Sequence, residues 1–139
     1  MSNLRKLFLS MKNFSFESGV SLDEIARKEE SLQLKFSEEY KNYLMEFGVV
    51  SFDGHELTGI THASTWLDVE EATILCREIN PNVQPNMYVI EDAHIDEIMY
   101  LQDETGNVYF TSLCNKPELV FESLHDYIAS LSDDTANIE

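Results

Sequence analysis

Apolar positions recur along the chain with two different periods, and the change of period divides it into elements. From residue 3 to residue 11, Leu4, Leu7, Phe8 and Met11 fall at i, i+3, i+4 and i+7, which predicts a short helix. Ser21 stands three residues before Glu24, the capping-box spacing, with Asp23 also placed to favour a helix N-terminus. The face that follows is Leu22, Ile25, Ala26, Glu29 and Leu32, an apolar stripe interrupted by one glutamate. Ser37 is the next N-cap, Glu38 and Glu39 fill the first turn, Tyr40, Tyr43, Leu44 and Phe47 form the stripe, and Gly48 falls where a left-handed C′ residue belongs. The period then shortens. Residues 49–52 read as a strand, Asp53-Gly54 as a hairpin turn, and His55 to Ile60 as the returning strand.

Asp68 begins another helix, with Glu70 and Glu71 in its first turn and Val69, Ala72, Thr73, Cys76 and Ile79 on its inner face. Pro81 and Pro85 bracket the loop after it. Strands are expected at residues 87–90, 95–101, 107–113 and 119–121, with Asp103-Glu104-Thr105-Gly106 as a tight turn. Ser123 caps a final helix whose face is Leu124, Tyr127, Ile128 and Leu131. Short turns between strands require antiparallel pairing. The expected fold is therefore α+β, a single domain over residues 1–139, with an antiparallel sheet and helices at the N-terminus, mid-chain and C-terminus. Its core spans about residues 21–131, and residues 132–139 read as a frayed polar tail. Apolar residues make up 43% of the chain, enough for a packed core without metal or disulfides.

Charge changes the picture most. There are 26 acidic residues against 9 basic ones, a formal charge of −17. Residues 1–78 hold 14 acids and 8 bases, whereas residues 79–139 hold 12 acids and one base, Lys116. Such a field repels nucleic acid and anionic lipid and speeds capture of a basic partner. Six carboxylates, Glu91, Asp92, Asp96, Glu97, Asp103 and Glu104, fall within one meander and are the candidate partner-binding residues. If residues 95–101 form a strand, alternate side chains share a face, so several of these carboxylates would point the same way, and Asp96 and Glu97 would guard a strand edge. An apolar patch near Trp66 is the other candidate. That residue, the only tryptophan, precedes a helix start and reads first as a staple or core anchor.

No catalytic chemistry emerges. The chain has no GxSxG, GxGxxG or GxxxxGK arrangement. His55, His62, His94 and His125 match no zinc spacing, and adjacent carboxylates on a strand point to opposite faces. The expectation is no catalytic residue, no cofactor and no metal. Cys76 and Cys114, each in an apolar neighbourhood, are expected to be buried free thiols in a reducing cytoplasm. The run Leu7-Phe8-Leu9 is too short for a signal sequence, and no stretch approaches a membrane span.

The order of motifs over residues 21–131 resembles a known family. Ile25 and Glu29 are followed by Leu34, then Phe36-Ser37-Glu38-Glu39-Tyr40-Lys41-Asn42-Tyr43-Leu44, Phe47-Gly48 and His55-Glu56-Leu57-Thr58-Gly59-Ile60. Farther on come Asp103-Glu104-Thr105-Gly106-Asn107-Val108-Tyr109 and Phe121-Glu122-Ser123-Leu124-His125-Asp126-Tyr127-Ile128. Together these resemble the SUKH superfamily, the Smi/Knr-like domains; Phe36-Ser37 departs from the Leu-Pro usual there. The resemblance implies a non-enzymatic domain and a structural role for Tyr40, Leu44, Gly48, Gly59, Gly106, Tyr109 and Ser123. For bacterial members it implies an immunity protein that neutralises a cognate secreted or contact-dependent toxin. The acidity would suit a basic toxin such as a nuclease, whose active site it could occlude. The alternative the family implies is a non-immunity interaction or regulatory module, as in eukaryotic relatives that act in cell-wall regulation.

Overall fold

The helix signals act much as their chemistry dictates. In a computed structural model, which describes residues 3–137 and the side chains through Leu131, Ser21 caps α2 (Leu22–Leu32) with both halves of the capping box present. Ser37 caps α3 (Glu38–Phe47) by accepting from the Tyr40 N–H, and Asp68 caps α4 (Val69–Ile79) by accepting from Glu70 and Glu71. Helix α1 (Asn3–Leu9) ends two residues earlier than expected, although Met11 is still buried. Helix α5 (Leu124–Asn137) continues past Leu131, where its apolar stripe ends. The tail expected to fray begins inside this helix, and residues 138–139 lie outside the described residues.

Among the described residues seven strands follow one another in space as they do in sequence: β1 (Ser15–Phe16), β2 (Val50–Phe52), β3 (His55–Leu57), β4 (Tyr88–Asp92), β5 (Met99–Gln102), β6 (Val108–Thr111) and β7 (Glu118–Phe121). Every neighbouring pair is antiparallel. The fold is α+β, as the grouping of elements required. Strand β1 was not legible: two residues carry no period, and it exists because Ser15 and Phe16 pair with Ser51 and Val50.

Helices cover both faces of the central strands. Tyr88 and Ile90 of β4 join the core built by α1, α2, α3 and α5, whereas Val89 joins Ala72, Cys76, Met87, Met99 and Leu101 under α4. This is why residues 88–91 are buried without alternation. The larger core is crossed by a hydrogen-bonded ladder. Thr58 donates to the Val89 carbonyl at 2.7 Å, which leaves its oxygen to accept from Tyr40 at 2.9 Å. Tyr43 donates to the Thr58 carbonyl at 2.8 Å. Ser37, Tyr88 and Gln102 are joined in the same way, with both hydroxyls donating to the Gln102 Oε1 at 3.1 and 2.8 Å.

Two glutamates assigned to local roles act at long range. Glu29, which interrupts the α2 stripe, accepts the Phe36 N–H at 2.8 Å and so fixes the turn into α3. Glu39 accepts the Leu124 and His125 N–H groups at 2.6 and 2.9 Å. A residue of α3 therefore caps α5, where its charge meets the positive end of the helix.

Gly48 has positive φ as expected, but with φ 76° and ψ −73° it is not left-handed helical. Val49 N donates to the Phe47 carbonyl at 2.9 Å, so α3 ends in a γ-turn. A Cβ at Gly48 would lie 2.3 Å from the Ser18 carbonyl oxygen, and one at Gly59 would lie 1.4 Å from the Gly48 carbonyl oxygen. Backbone thus packs directly on backbone where β1, α3 and the chain leaving β3 converge.

Several expectations are corrected. Residues 95–98 are not strand: Asp96 and Glu97 have φ of 54° and 53°, and Ile98 N donates to the Ile95 carbonyl at 2.9 Å, a two-residue turn of the type I′ class. Strand β5 begins only at Met99, so alternate residues from 95 onward do not share a sheet face. Leu113 lies beyond β6 with φ 54° and is exposed. Leu22 and Ala26 of α2 face solvent. Cys76 is buried, and burial pushes its thiol up to about 11, but Cys114 is exposed.

Candidate interaction surface

The six candidate carboxylates fall into three settings. Glu91 is 4% exposed. It sits at an irregularity in β4, accepts a hydrogen bond from the Tyr127 hydroxyl of α5, and lies 3.0 Å from His55 Nδ1 of β3. Beside this carboxylate the Tyr127 hydroxyl is held far above its ordinary range, first by burial and then by the charge of Glu91. Glu91 is thus a tie between sheet and helix. Asp103, also buried, organises the β5–β6 turn: it accepts from the N–H groups of Thr105 and Asn107 at 3.0 and 3.2 Å and from the Tyr109 hydroxyl at 2.7 Å. The Asp-to-Gly turn signal found in the sequence is made by this side chain, and both carboxylates are turned inward onto these partners.

The other four reach the surface at two separate places. Asp92 ends β4, is partly exposed, and accepts the His94 N–H at 2.8 Å. Asp96 and Glu97 are exposed at the tip of the turn that follows it. Glu104 is exposed too, but lies beyond the opposite end of β5, about 10 Å or more away along that strand at 3.4 Å per residue. Asp92, Asp96 and Glu97 therefore share one end of the sheet, and Glu104 does not join them.

Trp66 overturns its first reading. It occupies a 3-10 turn, Thr65–Leu67, and is 55% exposed, so it anchors no core; Leu67 is the residue of that turn that goes inside. Beside it, Ile74 and Leu75 of α4 are 40% and 49% exposed. Together with Glu71, Glu78 and Asp92 these residues line an open groove of about 320 Å³. Its signal was present in the sequence. Ala72-Thr73-Ile74-Leu75-Cys76 is a run of five uncharged residues on a helix, more than one buried face can absorb, so part of it must face outward.

Among the described residues no group of three or more His, Cys, Asp or Glu side chains is gathered as metal ligands would be. Glu70 is held below the usual carboxylate range, first by the Ser31 hydroxyl and then by Lys28, which also bridges to Asp68 at 3.2 Å. These are contacts between α2 and α4 and serve to lock the two helices. Among the described residues no helix is long and apolar enough to cross a membrane.

A search of curated proteins finds no match. A family model does match, over residues 4–132: that of the SMI1-KNR4 cell-wall family, SUKH_5. The match spans the chain from α1 into α5 and includes both the buried carboxylate ties and the Trp66 groove.

Proposed function

The chain belongs to the SMI1-KNR4 cell-wall family of the SUKH superfamily, an immunity-protein-like family, and from that premise we propose that it is an immunity protein that binds a cognate toxin and holds it inactive. The observation that carries this reading is the family match over nearly the whole chain. The charge supports the choice of partner. With a net charge of −17 the surface attracts a cationic domain, such as a nuclease whose cleft is built to receive phosphates, and repels nucleic acid itself. Asp92, Asp96 and Glu97, gathered at one end of the sheet, are the members of the candidate set best placed to meet such a cleft, and Glu104 adds to the long-range field from the other end. Inhibition would then be occlusion by a bound protein, with no chemical step.

The test is co-expression with the polypeptide encoded immediately upstream of this chain. Restored growth in cells producing that polypeptide supports the reading; growth arrest that persists when both proteins are present overturns it. Stopped-flow association of the purified pair should slow steeply as salt rises toward 0.1 M and above, where screening sets in at about 10 Å. Asp96→Asn with Glu97→Gln should slow it further at low salt than Glu104→Gln does. A rate indifferent to salt would remove the electrostatic part of the proposal. The family description also names the cell wall, which favours a second reading as an interaction module in cell-wall regulation; co-purification with a non-toxic partner and no rescue of growth would favour it.

A further inference from the structure

Helix α4 carries apolar residues on two sides where a surface helix needs them on one. Val69, Ala72, Thr73 and Cys76 are buried. Residues 71, 74, 75 and 78 recur at i, i+3, i+4 and i+7 on the opposite side, and that stripe is usually polar. Here its centre is Ile74 and Leu75, both exposed, and its two ends are Glu71 and Glu78, exposed as well. Trp66 stands beside this stripe with 55% of its surface in solvent. An indole and two branched aliphatic side chains left in water, adjacent to one another in one groove, have no role in the fold that the buried stripe does not already fill. Tryptophan is over-represented among residues that dominate binding energy, and contiguous exposed apolar surface marks interaction sites.

The rim decides what fits. The charged side chains of the groove are Glu71, Glu78 and Asp92, all acidic, and the loop carrying Asp96 and Glu97 continues directly from Asp92. We propose that this groove is the anchor point of the toxin interface, and that it receives a protein segment presenting one large apolar side chain flanked by lysine or arginine. The proposal rests on the immunity reading for the identity of the partner, but the chemistry of the occupant follows from the groove alone. The apolar side chain is buried between Trp66 and Leu75 and sets the residence time. The flanking cations meet Glu71, Glu78 and Asp92, and an arginine can also stack on the Trp66 ring. The carboxylates act on the association rate and the apolar contact on dissociation, so the two can be separated by experiment.

Trp66 is the only tryptophan, so its emission reports on this groove and nothing else. The probe is a capped tryptophan-free peptide with one phenylalanine between two lysines on each side. It should shift Trp66 emission to the blue in a saturable way, and an alanine-centred version should bind about tenfold more weakly, since burial of a phenylalanine ring contributes on the order of the 1.4 kcal/mol that corresponds to tenfold. A phenylalanine flanked by glutamates should produce no shift. Leu75→Ser and Glu78→Gln, both at exposed positions and both keeping the reporter, should each weaken the lysine peptide. No shift at about millimolar peptide, equal binding of the alanine-centred peptide, or indifference to both substitutions overturns the proposal. A concentration-dependent dimer that Leu75→Ser dissolves would make a second copy the occupant and also overturn it. The same variants then go into the co-expression assay. Toxin neutralised and bound with Trp66 emission and Leu75→Ser affinity unchanged overturns the anchor while the immunity reading stands. Peptide specificity as expected, with no toxin neutralised by the unaltered chain, supports the groove and overturns the immunity reading.

Discussion

Replacing Glu91 separates a structural carboxylate from an interfacial one. Glu91 is 4% exposed, and its side chain holds the hydroxyl of Tyr127, a residue 1% exposed, against the sheet. Glu91→Ala leaves that hydroxyl without its acceptor in a site closed to water. An unsatisfied buried polar group costs about 1–3 kcal/mol, and hydrogen bonds to a charged partner lie at the upper end. The vacated carboxyl and methylene space adds about 1 kcal/mol where neighbours collapse only partly. The expected loss is about 3 kcal/mol. For 139 residues, an unfolding entropy near 2.1 cal/mol/K per residue gives about 0.3 kcal/mol/K, so the melting temperature should fall by about 10 °C. The assay is a thermal melt followed by circular dichroism, with urea titration at 25 °C for the free energy. Glu104→Ala, at an exposed turn, is the control and should stay within about 0.5 kcal/mol. Glu91→Met combined with Tyr127→Phe removes donor and acceptor together and should cost less than the sum of the two single changes, because neither partner is then left unpaired. A Glu91→Ala melt indistinguishable from the unaltered protein, with slowed toxin capture, would refute the reasoning and return Glu91 to the partner surface.

Three further substitutions probe the same packing. Glu39→Ala should destabilise by about 2 kcal/mol in urea, since it uncaps α5 from a distance in sequence, whereas Glu38→Ala, on the exposed first turn of α3, should cost well under 1 kcal/mol. Glu97→Gly should raise stability by about 0.5–1 kcal/mol, because positive φ at residue 97 strains a side chain that glycine lacks; a loss of stability would count against the turn assignment. Ser31→Ala should lower stability near pH 7 by under about 1 kcal/mol, and by less at a pH below the usual carboxylate range. Glu70 titrates lower in the folded chain than unfolded, so its contribution is present above the unfolded value and disappears as the pH falls through the folded one; an equal effect at both pH values, by urea melts, would contradict this origin.

The split among the six carboxylates shows what charge counting misses. Glu91 and Asp92 are neighbours in one strand, yet one is sealed between β3 and α5 and the other opens on the Trp66 groove. Composition assigns both the same charge. Which of them meets solvent is decided by the face of β4 each occupies and by the helix that covers that face.

The sequence by itself determined the local part of this protein. Ser21 with Glu24, Ser37 and Asp68 cap the helices they were expected to cap, and Asp53-Gly54 turns the first hairpin, because capping and turn geometry depend on residues within a few positions of one another. The α+β class followed from the order of those elements, and the family from the order of its motifs. Tertiary structure alone decided the rest. It turned Glu39 into the cap of a helix 85 residues away, drew Glu91 and Asp103 inside, paired the two residues of β1, and left Trp66, Ile74 and Leu75 in solvent. Each of these depends on which face of an element finds a neighbour. An apolar or acidic residue carries no local mark of its future neighbour: burial is a property of the contact, and the contact exists only after distant segments have packed.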